Sequence, residues 1–135
     1  MLEQIQCGKC TSPSHEGPPT PQQRVVHDAL RAPAARDPRG VAVARAALEK
    51  AYAWLDERMA GREWASGDAF SLADCAAAPA LFYAMTLLPF PEEYHHLQSY
   101  FERLVMRPSV KQVLDESKPY FQMYPFYEDI PERFL

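Results

Sequence analysis

The sequence predicts an all-α fold, a bundle of about five helices, on three observations. Val41, Ala44, Leu48, Tyr52, Leu55 and Met59 recur at spacings of 3, 4, 4, 3 and 4, the period of one helix face. Leu72 to Leu88 is a run of seventeen residues with almost nothing polar in it, introduced by Phe70-Ser71-Leu72-Ala73-Asp74-Cys75. No segment alternates convincingly between apolar and polar residues, as a half-buried strand would.

The elements follow in order. Residues 1–20 carry Gly8, Pro13, Gly17, Pro18 and Pro19 among Ser and Thr with no period, and read as an irregular or disordered arm. Residues 21–135 read as one helical domain. Pro21 to Arg31 predicts a short helix with Val25, Val26 and Leu30 on or near one face, ended by Pro33 and Pro38. The long stripe lies between Gly40 and Gly61, the second glycine standing where a C′ residue belongs.

The third helix opens on a capping box. Ser71 is the N-cap, its hydroxyl placed to accept from the Asp74 N–H while the Asp74 carboxylate reaches back to the Ser71 N–H. Phe70 and Cys75 are spaced as a hydrophobic staple. A helix apolar on every side is expected to be buried all round, so this one is expected at the centre of the core, kinked where Pro79 removes a backbone bond. The run falls short of the ~20 residues a bilayer span needs, and Asp74 and Pro79 interrupt it, so a membrane span is rejected. Pro89 and Pro91 make a turn. Glu92 and Glu93 begin a fourth helix with the face Tyr94, Leu97, Phe101, Leu104 and Val105, stopped by Pro108. Ser109 to Gln112 is a second capping-box pattern, opening a short helix to about Glu116. The tail from Lys118 to Leu135 is aromatic-rich.

Net charge −4 and pI 5.5 with no basic stripe argue against a nucleic-acid partner. No charged and then apolar N-terminal stretch marks a secretory signal. Three cysteines make no disulfide framework, so a reducing cytoplasm is expected. Cys7-Gly8-Lys9-Cys10 with His15 offers three zinc ligands, but no second pair closes the site and no strand-to-helix context supports redox work; exposed thiols without function are expected. Cys75 reads as an inert core thiol. His95 and His96 point about 100° apart on a helix, and Glu93-x-x-His96 is half of a di-metal motif without its second copy. No metal site is expected.

The stretch GREWASGDAFSLADCAAAPALFYA, followed by a helix ending in RPSV, resembles the C-terminal helical domain of glutathione S-transferases. That family carries an aromatic, then Gly-Asp-x-Phe/Ile-Ser-x-Ala-Asp, at the start of its core helix. The segment ARAALEKAYAWLDERMAGR is similar to the long helix before it, and the resemblance runs from about residue 21 to 124. It implies a domain that shapes the hydrophobic-electrophile pocket and much of the dimer interface. The thioredoxin-like domain that holds glutathione and activates its thiol has no counterpart here. The expectation is therefore the helical part of a glutathione-conjugating protein, incomplete alone and with no nameable catalytic residue. It needs no cofactor beyond glutathione as possible cosubstrate, and its partner is a further copy or a separate thioredoxin-like domain. By resemblance, Gln23, His27 and Arg31, at i, i+4 and i+8, would line the pocket, the alternative being a partly exposed polar face; Phe121 and Tyr124 of the tail would cap the pocket or else pack on the core. The alternative is a non-catalytic assembly module of the same fold. Either way, an undocked domain of this kind bares about 600–1,500 Å² of surface, so self-association or a partner is expected.

Overall fold

A computed structural model describes residues 19–135; the expectations for Cys7, Cys10 and His15 lie outside the described residues. Among the described residues there are five α-helices: α1 (Pro21–Ala29), α2 (Pro38–Met59), α3 (Leu72–Leu87), α4 (His95–Met106) and α5 (Pro108–Ser117). Short 3-10 turns at Pro33–Ala35, Lys118–Met123, Tyr127–Asp129 and Glu132–Phe134 complete the described chain, and no strand occurs among these residues. No helix among them is long and apolar enough to cross a membrane.

Each helix boundary has a physical cause. α1 starts on a capping box at Thr20. The threonine Oγ1 accepts from the Gln23 N–H at 3.3 Å, and Gln23 Oε1 accepts from the Thr20 N–H at 2.9 Å. Val25 is buried, but Leu30 is 67% exposed. It is the C-cap, beyond the last turn, and does not extend the apolar face as expected.

α2 begins two residues ahead of Gly40. Asp37 is its N-cap, accepting from the Gly40 N–H at 2.9 Å. A Cβ on residue 40 would sit 2.2 Å from Asp37 Oδ2, so the glycine is what lets the cap fold over the helix end. At the other end Gly61 takes φ +71°, the left-handed C′ conformation that glycine adopts without strain. Between them Ala44, Leu48, Tyr52 and Met59 are buried, as the stripe predicts.

α4 starts at His95, not at Glu92. Its cap comes from elsewhere in the fold: the Asp56 carboxylate on α2 accepts from the Leu97 N–H at 2.9 Å. The two glutamates lie in the preceding turn. α5 starts at Pro108, not after a Ser109 cap. Proline suits the first helical position and forces the residue before it to be extended, as Arg107 is (φ −67°, ψ 130°). Ser109 is thus already inside the helix, and the Gln112 amide donates forward to Glu116.

The core gathers round α4, whose Leu97, Tyr100, Phe101 and Leu104 are almost fully buried. α2 and α3 pack against it, α1 lies across α2 and α3, and α5 joins α4. The tail returns to this core, burying Phe121, Ile130 and Phe134. Phe82 stacks on Phe121 at 5.5 Å and meets Phe134 edge-on at 5.3 Å. The C-terminal carbonyls of α3 are met from α2, by Arg45 on Leu87 and by the Tyr52 hydroxyl on Leu88 at 2.9 Å.

α3 itself is not covered on all sides. Asp74, Ala78, Leu81 and Phe82 are buried, whereas Leu72, Cys75, Ala76, Pro79, Ala80 and Tyr83 are exposed along the opposite face. The helix runs through Pro79 without a break. The bond the proline removes is the one to the Cys75 carbonyl, and both residues lie on the exposed face of the helix, where an orphaned carbonyl costs least.

Candidate functional site

The exposed face of α3 forms one wall of an apolar groove of about 330 Å³. Pro79, Phe82 and Tyr83 stand on the α3 side, Val110, Val113 and Leu114 on the α5 side, and Phe121 and Phe70 complete the lining. α5 has no fully buried residue of its own; Val110 and Leu114 of its apolar stripe pack against the edge of the core and, with the exposed Val113, line this groove.

A buried carboxylate builds the groove's edge. Asp74 has no exposed surface and accepts from the Ala65 N–H at 2.9 Å, the Ser71 N–H at 2.8 Å and the Tyr100 hydroxyl at 2.7 Å. The Ser71 hydroxyl donates to it as well, at 3.1 Å. One side chain therefore ties the α2–α3 loop, the start of α3 and the middle of α4 together. Burial opposes its ionisation, but the donors from Ala65, Tyr100 and Ser71 prevail and hold the carboxyl below the usual carboxylate range. Burial and the adjacent Asp74 push the Tyr100 hydroxyl up.

The loop so anchored presents Phe70. Trp64 and Gly67 exchange backbone hydrogen bonds at 2.8 and 2.9 Å, closing a turn in which Gly67 takes φ +126°, a conformation L side chains avoid. Trp64 then meets Phe70 edge-on at 5.2 Å, and the Arg107 guanidinium lies 3.7 Å from the Phe70 ring centroid, a cation–π contact. The motif read from sequence is thus a device for holding Phe70 against the groove.

The residues proposed from sequence divide between two places. Phe121 lines the groove. Tyr124 braces it from behind: its hydroxyl shares a hydrogen bond with Thr86 Oγ1 at 2.9 Å, and its ring lies 5.0 Å from that of Tyr83. Burial pushes the Tyr124 hydroxyl up, against the hydrogen bond from Thr86. Gln23 is exposed and engaged in the Thr20 cap. His27 and Arg31 line a separate, charged cavity of about 290 Å³ with Arg24, Asp28 and Asp37. These five residues therefore share no single pocket.

Cys75, expected as a core thiol, is exposed and lines the groove, because it falls on the uncovered face of α3. Phe70, Pro79, Tyr83 and the α5 stripe were not singled out as pocket residues. A signal existed for α5, where Val110, Val113, Leu114 and Ser117 recur at i, i+3, i+4 and i+7. Among the described residues no group of three or more His, Cys, Asp or Glu side chains is placed to hold a metal. Chemically, the groove offers an apolar wall with the hydroxyls of Ser109 and Ser117 and the Cys75 thiol as its polar points.

The family profile described as "Glutathione S-transferase, C-terminal domain" matches residues 23–108. Glutathione S-transferase 2 of Saccharomyces cerevisiae is 36% identical over 63 residues, which is 46% of this chain and 27% of that protein. The chain thus matches only about a quarter of that relative's length. No solved structure matches the chain.

Proposed function

The chain belongs to the glutathione S-transferase C-terminal-domain family, and from that premise we propose that it is the helical part of a glutathione-conjugating protein, its α3–α5 groove receiving hydrophobic matter. The observation that carries this reading is the uncovered apolar face of α3. Leu72 is 78% exposed and Val113 on α5 is 61% exposed, and such apolar surface is seldom left bare in a solitary soluble domain. The groove's volume of about 330 Å³ falls at the lower end of the range of about 300–1,000 Å³ for small-molecule pockets. It therefore suits a hydrophobic electrophile, with the glutathione-activating groups supplied by a thioredoxin-like domain. Phe121 and Tyr83 would contact the electrophile, and Tyr124 would hold Tyr83 in place.

The test is a pair of calorimetric titrations of the folded 135-residue chain. One uses glutathione to millimolar concentration and the other an S-alkyl glutathione of long chain. Binding of the alkyl derivative with little or none of the parent peptide supports a hydrophobic half-site. Equal affinity for both, or for neither, overturns it.

A second reading, association with a further copy of the chain, is favoured by the outer face of α2. Val43 is 58% and Trp54 57% exposed, and the two stand eleven residues apart on one helix face. Trp54→Ser is expected to shift a dimer to monomer in sedimentation equilibrium while leaving the helical signal unchanged. A monomeric unaltered chain rejects this reading.

A further inference from the structure

The cavity between α1 and the start of α2 has a chemistry that the conjugation reading does not use. α1 presents Arg24 and His27 at i and i+3, a spacing that brings side chains onto one face of a helix, Arg31 follows two residues beyond the helix end, and all three line the same concavity. The facing wall is Asp37, Gly40 and Val41, with Asp28 beside Arg31.

Both carboxylates here are already committed to the fold. Asp28 Oδ1 accepts from the Asp37 N–H at 2.6 Å, and Asp37 Oδ1 accepts from the Gly40 N–H at 2.9 Å as the cap of α2. Arg31 approaches Asp28 at 3.8 Å, an ion pair too long to be a hydrogen bond. Among the described residues, the side-chain donors of Arg24, His27 and Arg31 therefore converge on a cavity without a hydrogen-bond acceptor of their own.

The charge distribution points the same way. In a chain of net charge −4, residues 20–45 hold five arginines (24, 31, 36, 39 and 45) against two aspartates. This segment thus carries a formal charge of +3 against −7 for the remainder of the chain, a local excess of positive charge that favours anions. Guanidinium groups match carboxylate and phosphate oxygens with paired hydrogen bonds. A volume of about 290 Å³ restricts the occupant to a small molecule.

The geometry points to a binding site for a small oxyanion, carboxylate or phosphate in type, held by Arg24, His27 and Arg31. It stands apart from the α3–α5 groove and does not depend on the function proposed for that groove.

The test is titration of the full 135-residue chain with inorganic phosphate and, separately, with succinate. Both are followed by amide chemical shifts at constant ionic strength. Saturable shifts centred on α1 and residues 37–41 are expected with at least one of the two, and which one responds separates phosphate from carboxylate chemistry. Arg24→Ala is expected to weaken binding about tenfold or more, the loss of a charge-assisted hydrogen bond. Arg31→Ala acts likewise, and Arg31→Lys, which keeps the charge without the fork, is intermediate. Lys50→Ala, an exposed cation elsewhere on α2, leaves binding unchanged. Arg24 has no carboxylate partner among the described residues, so R24A keeps the test clear of folding defects. No saturable binding of either probe at millimolar concentration overturns the assignment. So does binding that R24A and R31A leave at its original strength.

Discussion

Replacing Asp74 with alanine takes the acceptor from its three closest donors at once: Ala65 N–H, Ser71 N–H and the Tyr100 hydroxyl, all between 2.7 and 2.9 Å. Hydrogen bonds to a charged group contribute about 1.5–3 kcal/mol each, so their gross sum is roughly 5–9 kcal/mol. The carboxylate has no exposed surface, and its desolvation offsets several kcal/mol of that sum. The net loss expected for Asp74→Ala is about 3–5 kcal/mol, in line with removing one partner from a buried charged network. For a domain of about 5–15 kcal/mol total stability this is a large fraction, and Asp74→Asn, which keeps the shape, serves as the milder variant. Urea denaturation followed by circular dichroism reads the loss. With a slope of about 1–3 kcal/mol/M the midpoint of Asp74→Ala falls by roughly 1–5 M. A double-mutant cycle with Tyr100→Phe should show a coupling of about 1–2 kcal/mol. The pH dependence has a definite sign. The native carboxyl titrates below its unfolded value, so its contribution is fully present above about pH 4. It is lost as pH falls through the native pKa, where the unfolded state binds more protons. Stability of the unaltered protein should therefore rise with pH across the acid range more steeply than that of Asp74→Asn. A loss below about 1 kcal/mol in Asp74→Ala, or a cycle additive within about 0.5 kcal/mol, would refute the reasoning.

Three further outcomes follow from single contacts. Gly40→Ala should lower stability by about 0.5–2 kcal/mol, the scale of a lost N-cap, because the new methyl displaces the Asp37 carboxylate; a thermal melt unchanged from the parent would contradict that. Asp56→Ala should destabilise by about 1 kcal/mol and fray the first turn of α4, read as faster hydrogen exchange at Leu97, whose N–H it holds. In the native state Cys75 should react with a thiol reagent and be protected by a hydrophobic ligand seated in the groove; an inert Cys75, identified by comparison with Cys75→Ser, would mean the α3 face is covered.

What could be read locally was read correctly where one short stretch contained the whole cause. The α2 stripe is a property of one helix face, Gly61 follows from one left-handed residue, and the Asp74 carboxylate reaches the Ser71 N–H only three positions away. The boundaries of α4 and α5 were misplaced for two different reasons. Glu92 and Glu93 looked like a helix start, yet the cap of α4 is supplied by Asp56, 41 residues earlier in the chain than the Leu97 it serves. At α5 two local signals competed, and the rigid φ of Pro108 prevailed over the hydroxyl of Ser109.

The sequence by itself determined the all-α class, the period and C-terminal end of the long helix, and the carboxylate at the start of α3, because propensity, spacing and caps act within a few residues. The tertiary structure alone decided which side of α3 faces water. A helix apolar all round holds no preference among its faces, so only the positions of α4, α5 and the tail choose. That choice exposed Cys75, opened the groove, and left Phe121 and Tyr124 at one site with His27 and Arg31 at another. Two helix faces share a cavity only when the packing of their neighbours brings them together.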